Sequence, residues 1–392
     1  MNILFYRYGS ICEPDIIASF KHLGFNITED TREVYNKQLL PSDCINGLAK
    51  LLKQNTYSFV FSINFFPSVS DVCNIWGIPY LCLIVDSPVL ELFSTSLANP
   101  CNKVFLFDRQ LYNDFHHINP DGIFHIPLAT NVRDNYATAA MASSADRARF
   151  SSDISFIGSL YSEKCLYNKI TLPEEMRGYV DGLIEAQLLV YGYNFIEECV
   201  TPELIDSFTK ARPELANFPS SMKVDTKAVI AQHIISVKVA EQERLRYLKA
   251  LSERFNVDLY TGSDTSSMPL IHNRGFAKTN TEMPIIFNQS KINLNFTAKS
   301  IRSGLSLRIF DVLGCEGFLI TNYQAELPEH FNIGEDLEAY TSLDDLIGKC
   351  EYYLSHDKER REIAHNGFEK VKKYHTYDIR LTQMLEIAFG LK

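Results

Sequence analysis

The segment from Ile292 to Ile320 holds the clearest set of groups for binding a phosphate. Its pattern is a strand, a basic loop that carries Arg302 and Gly304, a helix that begins near Arg308, a glycine turn and a second strand. A helix start presents free backbone N–H groups and a positive dipole end, and nearby arginines add charge. The segment therefore predicts a phosphate-binding loop.

Asp311 lies about one turn into the predicted helix. A carboxylate at that position could accept hydrogen bonds from the paired hydroxyls of a ribose. An ordinary helix start is the alternative interpretation, with Ser306 as the capping residue and Asp311 complementing the helix dipole.

Continuous apolar strands alternate with amphipathic helices along most of the chain, which indicates parallel sheets covered on both faces. We predict an α/β protein with two doubly wound domains, residues 1–150 and residues 151–375. The stretch from about 160 to 251 lacks strand patterns and is rich in helix formers, which predicts a helical insertion in the second domain. Ligands bind at the carboxyl ends of such strands, so a cleft between the two sets of loops is the expected site.

Composition narrows the possible classes of protein. The 38 basic and 48 acidic side chains give a net charge of −10, which opposes binding to nucleic acid or anionic lipid. The nine cysteines are scattered without a Cys-x-x-Cys pair, so neither a disulfide framework nor a zinc site is expected. No secretory signal and no apolar run long enough to span a membrane is found, so we expect a cytoplasmic protein.

Several strings in this order resemble the GT-B glycosyltransferases, and more closely the CgeB-like group, in which a DUF3880-type domain precedes a glycosyltransferase-family-1-like half. Besides Ile292–Ile320, the strings that carry the resemblance are Ser62–Pro67, Asp86–Pro88, Asp153–Tyr161, His272–Gly275, Phe287–Asn293 and Tyr374–Tyr377. The resemblance implies two Rossmann-like domains, a nucleotide-sugar donor held by the second, an acceptor approached by the first, and a C-terminal helix, residues 376–392, that returns to the first domain.

The resemblance also assigns roles on the donor side. Asp311 takes the position of the acid that binds the donor ribose, and Gly158 lets the backbone approach the pyrophosphate. Lys291 and Arg302 are candidates to neutralise the leaving diphosphate, with a role as surface cations as the alternative. Residues 272–276 would lie near the base, with a strand-end histidine bonded to the backbone as the alternative for His272. Ser303 stands where retaining enzymes of this fold carry a second acid, which leaves inversion at least as well supported as retention. The implied donor-binding residues are Gly158, His272, Arg274, Lys291, Arg302, Ser303, Gly304, Leu305, Ser306, Arg308 and Asp311.

An inverting transfer needs a base for the proton of the acceptor. Asp86 directly follows the apolar strand Tyr80–Val85, and Glu13 follows the first strand and its glycine loop. Charge complementarity at a helix start is the alternative role for Glu13. Tyr8, Asn64 and Phe65 are the expected acceptor-side residues.

The expected function is metal-independent transfer of a sugar from a nucleotide diphosphate, most simply UDP, to a protein or surface-glycan acceptor, with no separate cofactor and no metal ligand. The alternatives that the sequence leaves open are a sugar epimerase or phosphorylase of the same fold, and a two-lobed protein that binds a nucleotide or sugar without turnover.

Overall fold

The structure is a computed structural model that describes residues 1–390. It divides into two compact units, and each contains a six-stranded parallel sheet. Unit 1 consists of residues 1–131, a short segment at 218–224, and the C-terminal stretch from His375. Unit 2 consists of residues 132–217 and 225–374.

The sheet of unit 1 has the strand order β2-β1-β3-β4-β5-β6. The elements of this unit up to residue 131 are β1 (Asn2–Tyr6), α1 (Glu13–His22), β2 (Asn26–Asp30), α2 (Arg32–Tyr35), α3 (Pro41–Gln54), β3 (Phe59–Ile63), α4 (Pro67–Trp76), β4 (Tyr80–Leu83), β5 (Asn102–Leu106), α5 (Arg109–Phe115) and β6 (Ile123–His125). Every residue of β3 and β4 is buried, as expected for central strands with helices on both faces.

The sheet of unit 2 has the order β12-β11-β10-β7-β8-β9. Its elements are α6 (Val132–Ala140), α7 (Ser144–Phe150), β7 (Ser152–Ile157), α8 (Glu174–Leu188), α9 (Pro202–Ala211), α10 (Thr226–Val229), α11 (Ser236–Ser252), β8 (Val257–Tyr260), β9 (His272–Asn273), α12 (Met283–Gln289), β10 (Ser290–Asn295), α13 (Leu307–Gly314), β11 (Leu319–Asn322), α14 (Leu327–His330), β12 (Glu338–Tyr340), α15 (Leu343–Ser355) and α16 (Asp357–Tyr374). Between β7 and β8 the chain is helical or irregular, with a π-helical turn at Ile230–Ile235 leading into α11.

Unit 2 begins earlier than residue 151, at Val132. The reason is packing, because α6 and α7 lie against α12, and α6 also lies against α13. The sequence between Val132 and Phe150 is polar and small in part, which resembles a linker, although it forms two helices in the structure.

The last helix, α17 (Tyr377–Phe389), belongs to unit 1. It packs against α1, and the rings of Phe389 and Phe59 lie 5.8 Å apart. Arg380 of this helix is buried and donates a hydrogen bond to the carbonyl oxygen of Leu128 at 3.3 Å. Burial lowers the pKa of the Arg380 guanidinium to about 10.

Among residues 1–390, no helix combines the length and the apolar character that crossing a bilayer requires.

Candidate functional site

The loop that follows β10, residues 296–306 and called here the β10 loop, is held by a network of buried polar side chains. Asn295, at the end of the strand, donates to Thr297 Oγ1 at 3.0 Å and to Thr321 Oγ1 at 2.9 Å. Ser306, at the far end of the loop, donates to Asn295 Oδ1 at 3.3 Å. One strand-end amide therefore joins both ends of the loop to the neighbouring strand β11.

Residues that follow β11 hold the middle of the same loop. Gln324 donates from Nε2 to the carbonyl oxygens of Ile301 and Gly304 at 3.1 and 3.2 Å. Ser303 donates to Glu326 Oε1 at 2.6 Å, and both side chains are buried. A buried carboxylate thus lies beside Ser303, the position where the resemblance implies a missing acid.

The first turn of α13 follows directly from the β10 loop. Ser306 occupies the N-cap position, but its side chain makes no capping hydrogen bond to the helix, and its hydroxyl donates to Asn295 Oδ1. The N–H groups of a first helical turn have no partner inside the helix, and the helix dipole is positive there. This helix start is therefore suited to an anion, and the alternative interpretation of Ser306 as an ordinary capping residue is wrong.

Charged side chains flank this helix start. Arg308 Nη1 lies 3.5 Å from Asp311 Oδ2, and both side chains are about one-fifth exposed. The Arg308 guanidinium also lies 5.0 Å from the centre of the Phe287 ring. Arg302 is half-buried in the β10 loop, whereas the side chain of Leu305 is in the core, so that only its backbone can face a ligand.

The loop after β7, residues 158–163 and called here the β7 loop, adjoins this region because β7 pairs with β10. Gly158 donates its N–H to the carbonyl oxygen of Tyr260 at 3.1 Å, and Leu160 donates its N–H to Ser263 Oγ at 2.9 Å. Tyr161 has a φ of +68°, a conformation that costs a non-glycine residue energy and that clusters at functional sites.

An exposed aromatic ring lies at the ends of β8 and β9. Phe276 is 86% exposed, and its ring rests against Gly262, where an added Cβ would lie 2.1 Å from Cζ of the ring. His272 and Arg274 both approach Asp258, at 3.5 and 3.8 Å. The residues expected near the base therefore lie on the edge strand of the sheet, beside a ring with an open face.

Lys291 lies away from the expected donor-binding residues at the β10 and β7 loops. It is the second residue of β10, at the amino end of the strand, and its Nζ lies 2.7 Å from Asp153 Oδ1. The β10 loop is at the other end of the strand. This position contradicts the expected contact between Lys291 and a diphosphate.

In unit 1, Tyr8, Asn64 and Asp86 come together at the carboxyl ends of β1, β3 and β4. Asn64 donates from Nδ2 to Asp86 Oδ2 at 2.7 Å and to the hydroxyl of Tyr8 at 3.0 Å, and it accepts from the N–H of Val85 at 3.0 Å. Its backbone has a φ of +57°. Asn64 is thus the residue that orients the other two.

The Asp86 carboxylate is exposed, so a hydroxyl group can come within hydrogen-bond reach of it, which a general base requires. Burial raises the pKa of the Tyr8 phenol, and the negative charge of Asp86 adds to this effect. Tyr8 therefore stays protonated at neutral pH and can donate a hydrogen bond to a ligand.

Glu13 and Phe65 occupy positions that contradict their expected roles. The Glu13 carboxylate is fully buried and accepts from the N–H groups of Tyr8 and Gly9, both at 2.8 Å, and from Arg7 Nε at 2.9 Å. Phe65 is 1% exposed and packs on Tyr80. Glu13 shapes the loop after β1, and Phe65 belongs to the core.

Sequence reasoning missed four buried residues around these loops. They are Glu243 and Arg244 of α11, Lys299 of the β10 loop, and Glu326. The partners of Arg244 lie 52 or more residues away along the chain, so no local pattern could have indicated it. Lys299 and Glu326 lie within or just after a region that the sequence did single out.

Within residues 1–390, no group of three or more histidine, cysteine, aspartate and glutamate side chains could hold a metal ion.

Comparison with known proteins bears on both units. Residues 242–386 match the family model described as glycosyl transferase-like. No curated protein sequence matches the chain.

Three solved structures share the fold over nearly the whole chain. A glycosyltransferase from Rickettsia africae is 12% identical with a TM-score of 0.55, covering 100% of this chain and 98% of its own. Sucrose-phosphate synthase from Thermosynechococcus elongatus is 10% identical with a TM-score of 0.55, covering 100% of both chains. Anabaena Alr3699/HepE in complex with UDP and glucose is 12% identical with a TM-score of 0.51, covering 98% of this chain and 99% of its own. The predicted α/β GT-B fold with two doubly wound sheets is confirmed.

We predict that Glu13→Gln destabilises unit 1. The substituted amide places an NH₂ group against the Arg7 guanidinium, and losing this charged hydrogen bond should cost about 2 kcal/mol of the free energy of unfolding. Urea denaturation measures the effect. Glu29→Gln is the matched control, because Glu29 is a more exposed partner of the same Arg7 and its loss should cost under about 1 kcal/mol. If Glu13→Gln kept full stability and abolished activity, Glu13 would be catalytic instead.

Proposed function

We propose that the chain is a glycosyltransferase that moves a sugar from a nucleotide diphosphate, most simply UDP, to a protein or surface-glycan acceptor. The observation that carries this proposal is the start of α13, where the Ser306 side chain makes no capping hydrogen bond, next to the Arg308–Asp311 pair. It belongs to the segment that matches the glycosyl transferase-like model, and one structure of the same fold contains UDP and glucose.

In this proposal, unit 2 binds the donor. The backbone N–H groups at the start of α13, with Arg302 and Arg308, stabilise the negative charge that builds on the departing diphosphate. Asp311 accepts hydrogen bonds from the ribose hydroxyls. Gly158 lies beside the phosphates, and the open face of the Phe276 ring stacks on the base.

Unit 1 supplies the groups that act on the acceptor. The acceptor oxygen attacks the anomeric carbon, its proton passes to Asp86, and the bond between that carbon and the phosphate oxygen breaks with its electron pair leaving on the diphosphate. Asn64 holds the Asp86 carboxylate in place, and Tyr8 donates a hydrogen bond to the acceptor. A base that acts in a single displacement corresponds to inversion.

The donor assignment predicts a specific loss in Asp311→Asn. The amide keeps the shape of the side chain but weakens its hydrogen bonds to the ribose, and a charged hydrogen bond contributes about 1.5–3 kcal/mol, or roughly tenfold or more in affinity. Isothermal titration with UDP measures the change. Asp344→Asn, at an exposed position in the first turn of α15, is the control and should bind UDP as the unaltered protein does. If neither UDP, GDP nor ADP binds the unaltered protein, the proposal fails.

The base assignment predicts that Asp86→Asn lowers kcat by about 10²–10⁴-fold, because a positioned general base contributes a factor of this size. UDP affinity should stay unchanged, since the substitution lies in unit 1. The rate of sugar transfer is measured as the rate of UDP release. Comparing this rate with and without candidate acceptors also separates transfer from hydrolysis. Asp121→Asn, in the exposed turn before β6, is the control. Full activity of Asp86→Asn would require another base.

We further infer that the transfer needs no divalent metal, because the positively charged side chains and backbone N–H groups of unit 2 stabilise the negative charge of the diphosphate. A chelator such as EDTA should leave the rate of UDP release unchanged. A loss of activity that Mg²⁺ or Mn²⁺ restores would contradict this mechanism.

A further inference from the structure

One buried arginine of the helical insertion reaches both loops of the candidate donor site. Arg244, on α11, donates from Nη1 to the carbonyl oxygen of Ser159 at 2.5 Å and from Nη2 to that of Phe296 at 2.6 Å. Ser159 is in the β7 loop and Phe296 begins the β10 loop. A single planar group thus sets the separation of the two loops, and the fork of a guanidinium is well suited to this task.

The positive charge of Arg244 has no counter-charge of its own. The residue is 8% exposed, no carboxylate within residues 1–390 forms an ion pair with it, and its Nε has no hydrogen-bond partner there. The guanidinium lies 4.3 Å from the centre of the Tyr161 ring and 5.3 Å from that of Phe156. Burying a cation without an anion costs free energy. An anion that binds nearby therefore stabilises the site.

Glu243, the neighbouring residue on α11, forms an ion pair with a different cation, Lys299. Glu243 is fully buried, and its Oε1 lies 3.5 Å from Lys299 Nζ and accepts from the Tyr191 hydroxyl at 2.9 Å. Lys299 also lies over the Tyr191 ring at 4.1 Å. Because Glu243 balances Lys299, the charge of Arg244 remains uncompensated beneath the two loops.

We propose that Arg244 is a positioning residue for the donor diphosphate. It fixes the β7 and β10 loops through their carbonyl oxygens, and its buried charge favours the phosphates without touching them. This inference rests on the proposed function, since it requires a nucleotide diphosphate at these loops. It gives the insertion a role, which is to support the phosphate-binding loops from behind.

The test compares UDP with uridine, which lacks the phosphates. Dissociation constants are measured by NMR ligand titration for the unaltered protein, Arg244→Met and Arg244→Lys. We expect Arg244→Met to weaken UDP binding at least tenfold while uridine binding changes less than twofold. Arg244→Lys keeps the charge but loses the forked guanidinium, so its dissociation constant for UDP should lie between those of the unaltered protein and Arg244→Met. This variant also keeps the test valid if Arg244→Met fails to fold. Arg246→Met is the matched control, because Arg246 is an exposed arginine of the same helix paired with Glu185, and it should change neither constant.

An equal loss of UDP and uridine binding in Arg244→Lys would indicate a general structural role and would overturn the inference. Unchanged UDP binding in both Arg244 variants would overturn it as well, while the proposed donor site would stand. If the unaltered protein bound UDP, GDP and ADP no better than their nucleosides, the proposed function would fail and the inference with it.

Discussion

Polar side chains buried at the ends of β10 and β11 must each find a hydrogen-bond partner, because an unpaired buried amide or hydroxyl costs about 1–3 kcal/mol. Asn295, Gln324 and Glu326 meet this requirement by bonding to the β10 loop and to the hydroxyl of Ser306. The Ser306 side chain, which donates to Asn295, makes no capping hydrogen bond to α13. The hydrogen bonds that satisfy the strand ends therefore also fix the loop that leads into α13.

Unit 1 has a smaller version of the same arrangement. Asn64 directly follows β3, just as Asn295 is the last residue of β10. The Asn64 amide, like that of Asn295, forms hydrogen bonds with groups from a neighbouring strand or the loop after it. The difference is exposure, because Asp86 remains open to solvent, whereas Glu326 is buried. A buried carboxylate suits the support of a loop, and an exposed one suits proton transfer.

The sequence predicts the central strands of unit 1 well, since β3 and β4 are mostly apolar runs, as expected for strands buried on both faces. It misses β2, whose sequence Asn26–Asp30 is polar, because an edge strand needs little apolar surface. The sequence places Lys291 wrongly, next to the β10 loop. Only a few residues separate the two along the chain, but those residues form the extended strand β10, which is about 17 Å long. The role of Glu13 depends on backbone N–H groups that fold back on it, which residue types alone do not reveal.

The chain passes between the two units four times, at residues 131–132, 217–218, 224–225 and 374–375. The segment 218–224 contributes a backbone hydrogen bond from Thr95 to Ser221 within unit 1, and α17 covers α1. No contiguous stretch of the gene therefore encodes a complete unit 1. During synthesis on the ribosome, unit 1 therefore lacks α17 until all of unit 2 has been made.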